Sequence, residues 1–283
     1  MKLGYLCRYS REEVARAARL GFNCLELQAG SICTNLKAAA KMRSAAKQAR
    51  AVLDDYGVSV SAVAYYGNPL AGDAKAALAG YKAVFEMAGI LGTDAVATLA
   101  GSRPEESTED NVKRFGRVFR PIARAAERAG VKLAVENWTG FGGELPLKSV
   151  NLGRSPALWR RMFEAVPCEA LGLEFDPSHL MRIGVDHIAP LKAFADRVHH
   201  VHAKDTEILY DSIAEHGYYG GQPFRYRIPG YGQIDWAEFI SALVEIGYDG
   251  GVAIEHEDPV FSGERFEEGL VRGYDVLRPL IQP

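Results

Sequence analysis

A chain of 283 residues with 48 % hydrophobic and 24 % charged residues has the composition of a soluble globular protein and is long enough to bury a large core. Its formal net charge of −3 argues against nucleic acid as the main partner, because a protein that grips many phosphates carries a basic surplus. No run of about 18 uninterrupted apolar residues occurs, and Met1-Lys2-Leu3-Gly4-Tyr5 lacks a signal-type apolar stretch, so no membrane element is expected.

The four cysteines, Cys7, Cys24, Cys33 and Cys168, form no Cys-x-x-Cys pair. Reduced thiols in a cytoplasmic protein are the expectation.

In chain order, a first strand is expected over Lys2–Leu6. Ser10-Arg11-Glu12-Glu13 then has the form of a capping box, followed by Val14, Ala17, Ala18 and Leu20 at helical spacing and a closing Gly21. Strand 2 is Cys24–Gln28. A helix runs over about Lys37–Tyr56, strand 3 over Val58–Ala64, a helix over about Asp73–Leu91, and strand 4 over Ala95–Leu99. A helix starting at Ser107 or Thr108 ends at Gly130, and strand 5 is Val131–Glu136. A loop with Gly140, Gly142 and Gly143 leads to a helix near Ser155–Ala165. Strand 6 is Leu171–Asp176, a short helix covers about Asp186–Ala195, and strand 7 is Val198–Ala203. A long polar and aromatic loop, Asp205–Gln233, precedes a helix over Asp235–Ile246, strand 8 at Gly251–Glu255, and a last helix over about Ser262–Leu280.

Eight strand–helix pairs without a composition break imply one domain over residues 1–283, a (β/α)8 TIM barrel. A doubly wound open sheet is the alternative.

Active sites of such barrels lie at the C-terminal ends of the strands. Strand side chains alternate between barrel interior and helix layer. With Leu133 and Val135 outward, Glu136 points in. By the same parity Glu174 and Asp176 face in on strand 6, His200, His202 and Lys204 on strand 7, and Glu255 and Glu257 on strand 8. Any one inward glutamate could be the salt-bridge partner of Lys204 or an arginine. Carboxylates and an imidazole at the ends of four strands need a shared neutralising charge. A divalent cation held by Glu136, Asp176, His202 and Glu255 supplies it. The oxygen-rich donor set favours manganese, with magnesium, cobalt or zinc as alternatives. His200, Glu174 and Glu26 sit deeper, as polar partners in the barrel core. In the loop over Tyr210–Tyr231, the tyrosines, Phe224, Arg225 and Arg227 suit a lid over a substrate, a packed surface loop or an oligomer contact. Trp138 suits the opposite wall, with Phe141 beside it.

At Val135-Glu136-Asn137, Phe175-Asp176-Pro177-Ser178-His179, His200-Val201-His202-Ala203-Lys204-Asp205, Pro229-Gly230-Tyr231-Gly232-Gln233-Ile234-Asp235-Trp236 and Ile254-Glu255, the chain resembles the xylose isomerase-like TIM-barrel superfamily. The resemblance covers nearly the whole chain. It implies Glu136, Asp176, His202 and Glu255 as metal ligands, with Glu136 and Glu255 doubling as proton-transfer residues and His179 binding a substrate hydroxyl. Where the epimerases place a basic substrate contact after the strand-7 histidine, this chain has Ile208, so Lys204, Arg225 or Arg227 is expected to substitute. The DNA-repair branch needs extra histidines on early strands, and strands 2 to 4 have none. The expected activity is isomerisation or epimerisation of a sugar through an enediolate. The alternative is a lyase or dehydratase that eliminates water or an aglycone, and a non-catalytic sugar binder ranks third.

Overall fold

The structure, a computed structural model, describes residues 1–142 and 148–281; Gly143 of the glycine-rich loop and the Phe141 side chain lie outside the described part. Eight parallel strands close on themselves: β1 (Lys2–Cys7), β2 (Cys24–Gln28), β3 (Ser59–Ala64), β4 (Ala95–Thr98), β5 (Lys132–Glu136), β6 (Leu171–Phe175), β7 (Val198–Ala203) and β8 (Gly251–Ile254). β1 pairs with both β2 and β8, which closes the TIM barrel and excludes the open sheet. Element bounds agree with those read from the sequence to within about two residues, except that the last helix begins at Phe266 behind a short 3-10 turn.

Local chemistry explains the regular alternation. The helices Arg11–Leu20, Ala39–Tyr56, Ala74–Leu91 and Thr108–Ala129 each end at a left-handed glycine, at Gly21, Gly57, Gly92 and Gly130. The side chains of Ser10, Asp73 and Ser107 accept the backbone N–H three residues on and start three of them. The outward strand residues Leu133, Val135, Leu171, Leu173, Phe175, Val201, Val252 and Ile254 are fully buried beneath the helices. Among the described residues, no helix is long and apolar enough to cross a membrane.

The segment after β7 is not an irregular loop. Asp205–Ile208 and Phe224–Arg227 form an antiparallel hairpin carrying a short helix, Tyr210–His216. Buried Asp205 fixes its base by accepting hydrogen bonds from the backbone N–H of Gly230 (3.0 Å) and Ile234 (3.1 Å) and from the Trp236 indole (2.9 Å).

Candidate metal centre and the network beneath it

Parity brings the four expected ligands to one point at the C-terminal mouth of the barrel. His202 Nδ1 lies 3.2 Å from Glu255 Oε2, 3.6 Å from Glu136 Oε1 and 3.9 Å from Asp176 Oδ2. His179 joins them, with Nε2 3.2 Å from Glu136 Oε1 and 3.5 Å from Asp176 Oδ2. Glu136, Asp176, His179 and Glu255 therefore form a cluster with the spacing of a metal site, and His202 closes it from below.

Each donor is placed by a neighbour. Asn137 exchanges two hydrogen bonds with the Asp176 backbone, donating to its carbonyl (2.8 Å) and accepting from its N–H (2.7 Å), which laces the end of β5 to that of β6. Asp176 Oδ1 accepts from the Ser178 N–H and caps the turn that follows. Its second oxygen, Oδ2, is buried and makes no hydrogen bond, and the same holds for His202 Nδ1. Arg182 donates to the Tyr226 hydroxyl (3.0 Å), so the phenol hydrogen is free for His179 Nδ1 (2.8 Å). His179 Nε2 lies 3.2 Å from both Glu136 Oε1, to which it can donate, and the Lys204 ammonium, from which it can only accept, so its tautomer selects one of the two.

One cation of the chain stands in this cluster. The fully buried Lys204 ammonium lies 2.5 Å from Glu255, 3.1 Å from Glu257 and 3.3 Å from Asp176, with Tyr226 beneath it at 4.6 Å. Burial alone would drive Lys204 towards its neutral form, but Glu255, Asp176 and Glu257 outweigh that and hold its pKa well above the ordinary value. Burial and the Glu255 charge both oppose ionising Glu136. The neighbouring imidazoles of His179 and His202 overcome them and hold its carboxyl at about 2. The donor set of carboxylates and imidazole, with two orphaned buried atoms within it, fits a divalent ion bound by oxygen and nitrogen.

A second group lies one layer down. His202 Nε2 is 2.8 Å from Glu26 Oε2 and 3.3 Å from Glu174 Oε1, and His200 Nδ1 is 2.9 Å from Glu174 Oε1. The Tyr66 hydroxyl bridges Glu26 (3.0 Å) and Glu174 (2.7 Å). A phenol has one hydrogen, so one of these contacts needs a carboxyl hydrogen. Burial and the Glu26 charge raise the Glu174 pKa well above normal, which makes Glu174 the protonated partner. The strand register slips next to each carboxylate, between Leu25 and Glu26 and between Leu173 and Glu174. Such slips re-aim side chains. Gly251 leaves room for the floor of this group: a Cβ there would stand 2.4 Å from Ser61 Cβ and 3.2 Å from His200 Nε2.

The remaining expected residues divide. Lys204 and His179 are in the cluster. Trp138 follows Glu136 and Asn137 half-buried, and its indole makes no hydrogen bond among the described residues. Arg225 and Arg227 depart from expectation. Arg225 pairs with Glu207 (2.6 Å) across the hairpin, and Arg227 pairs with Glu207 and with buried Asp258 (2.8 Å). The Arg225 guanidinium is paired within the hairpin, and that of Arg227 also ties the hairpin to Asp258 in the loop after β8. Tyr66 and Tyr226 took no individual part in the sequence reading; the β3 exit and the hairpin register bring them in.

The profile of the xylose isomerase-like TIM barrel matches residues 14–280 of the chain. The chain belongs to this family. An inosose dehydratase of Lacticaseibacillus casei is 24 % identical over 168 residues, 58 % of this chain and 53 % of that protein. The chain spans about half the length of the curated relatives it matches first. Among solved structures, the IolI protein with a bound zinc atom has a TM-score of 0.74 at 21 % identity, covering 99 % of this chain and 98 % of that one. D-psicose 3-epimerase from Clostridium cellulolyticum H10, solved with D-tagatose, has a TM-score of 0.71 at 16 % identity over the full length of both. These two likenesses are of fold.

Proposed function

We propose that this family member is a divalent-metal-dependent enzyme that moves a proton next to the carbonyl of a sugar or sugar-like polyol, as an isomerase or epimerase. The observation that carries the reading is the pair of buried atoms, Asp176 Oδ2 and His202 Nδ1, left without a hydrogen bond and facing Glu136 and Glu255. Glu136, Asp176, His202 and Glu255 would hold the ion, for which we favour manganese. When bound, it supplies Lewis-acid stabilisation of the negative charge that develops on a substrate oxygen. Glu136, held ionised by the neighbouring His179 and His202 imidazoles, is the general base. Glu255 receives or returns the proton on the other side of the carbon. His179 positions a substrate hydroxyl, and the half-buried Trp138 lines the approach.

One observation favours a second reading, elimination of water or an aglycone. The two glutamates are not equivalent: Glu136 faces imidazoles and Glu255 faces the Lys204 ammonium. A base on one side and a cationic donor on the other suit a leaving group that departs with a proton. A dehydratase among the relatives and an epimerase among the fold neighbours accord with both outcomes.

Incubation with ketoses and keto-glycosides in D2O tests the reading. Deuterium incorporation without other mass change identifies isomerisation or epimerisation, and loss of water or aglycone identifies the lyase. Glu136→Gln is expected to slow either by about 100- to 10,000-fold. Unchanged turnover in that variant would sink the mechanism.

A further inference from the structure

We infer that the barrel mouth carries a second binding subsite, between the ends of β2 and β3, that takes a neutral second ring of a two-ring sugar substrate. A cavity of about 720 Å³ opens there, walled by Gln28, Thr34, Asn35, Lys37, Tyr65 and Tyr66. It adjoins a further space of about 360 Å³ that shares Lys37, Tyr65 and Tyr66. Pockets of about 300–1,000 Å³ enclose drug-sized ligands, so the space exceeds what one reacting sugar ring fills.

Three features set the chemistry of the occupant. The side chains of Gln28, Thr34, Asn35 and Lys37, all lining residues, form no hydrogen bond or ion pair among the described residues, and the last three are exposed to solvent, so amide, hydroxyl and ammonium groups are available to an occupant. Tyr65 presents its hydroxyl at the helix wall only because residue 80 is glycine: a Cβ there would lie 2.6 Å from that oxygen. Gly80 is inside the helix Ala74–Leu91, where glycine lowers helix stability, so the close approach is retained against a local cost. The charge balance disfavours an anion, because Lys37 is the one cation in the wall and the Asp73 carboxylate, lining the adjoining space, already caps that helix by accepting from the Ala76 N–H. Hydroxyls and an aromatic-stacking face, as on a pyranose ring, use these groups best.

Tyr66 connects the subsite to the reaction centre. Its ring lines the cavity and its hydroxyl reaches Glu26, Glu174 and, at 3.4 Å, His202 Nε2. β2 and β3 stand across the barrel from β6 and β7, at the same C-terminal mouth. A substrate enolised at Glu136 and Glu255 therefore has its distal ring directed to this cavity. The inference rests on the proton-transfer reading given above.

The test compares a ketohexose with a keto-disaccharide in which the same ketone-bearing ring is joined to an unreactive glucosyl ring, using manganese-loaded full-length protein. The two-ring substrate is expected to have the higher kcat/KM. Asn35→Ala and Lys37→Ala are each expected to lower the two-ring to one-ring ratio about tenfold, through KM, as loss of a single hydrogen bond or charged contact does. A ratio unmoved in both variants overturns the subsite. A separate titration uses cellobiose, which has no ketone, with Glu136→Gln protein. Cellobiose binding that Asn35→Ala weakens supports the subsite even where no proton transfer is found. Deuterium exchange into a ketose, with no cellobiose binding and no shift in the ratio, overturns the subsite and leaves the enolising reading intact.

Discussion

Two groups of buried carboxylates and imidazoles share His202, and they differ in how their bonding capacity is used. Below the ring, Glu26, Glu174, His200 and Tyr66 satisfy one another, and one carboxyl keeps its proton. Above it, Glu136, Asp176 and Glu255 stand around two atoms with no hydrogen bond and one buried ammonium. Both groups have the donor types and spacing to hold a metal ion. A saturated network gains little from an ion that would have to displace its protons, whereas an unsaturated one gains its missing partner. On the proposed reading the ion belongs to the upper group, and the lower one supports His202 through its Nε2 contact with Glu26.

The largest effect that would break or sharpen this contrast is expected from Asp176→Asn set against Glu174→Gln. Asparagine retains an oxygen to cap the Ser178 N–H and removes the ligand charge. Manganese affinity, read by calorimetry and metal analysis, should fall by more than about 100-fold, beyond what an outer-shell partner is worth. Glu174→Gln replaces a neutral acid by a neutral amide and should change the affinity by less than about tenfold. Equal losses in the two variants would erase the distinction between the layers.

An intermediate effect is expected at Glu26. Its Oε2 accepts from His202 Nε2 and thereby fixes the tautomer. In Glu26→Gln the amide can donate instead and move the hydrogen to Nδ1. Metal affinity should drop by about 10- to 100-fold. The ring-nitrogen shifts of His202 in metal-free protein, measured by NMR, should report a change of tautomer. Wild-type shifts together with wild-type affinity would show that Glu26 has no positioning role.

The barrel and the convergence of the upper residues were legible because both follow from short-range rules. Glycine stops, caps and period-two alternation locate eight strands, and parity then turns Glu136, Asp176, His202 and Glu255 to one side. What was not legible depends on pairing between distant segments. Tyr66 lies beyond the end of β3, where alternation no longer constrains direction, so its hydroxyl could not be placed between Glu26 and Glu174. Arg225 and Arg227 read as substrate contacts because their partners are set by the hairpin register, which puts Glu207 opposite Arg225, and by Asp258, 31 positions away from Arg227. The slips at Glu26 and Glu174 were equally invisible, since a register break leaves no mark on composition.

The smallest effect on the ion is expected where the arginines are committed. Asp258 accepts from Arg227 Nε (2.8 Å) and from the Ile228 N–H (3.1 Å), tying the hairpin to the loop after β8. Burial opposes its ionisation, but these bonds and one from the Val260 N–H outweigh that and hold its pKa below the ordinary value. A carboxylate depressed in the folded state contributes stability above its unfolded pKa of about 3.9 and loses it as pH falls through the folded value. Asp258→Asn should therefore cost about 1.5–3 kcal/mol in urea unfolding at pH 7, with the gap from wild type narrowing below about pH 4. Manganese affinity should stay within about twofold, as for sites that do not share partners. A large loss of affinity at pH 7 would mean instead that the hairpin, through Tyr226 and His179, is part of what holds the ion.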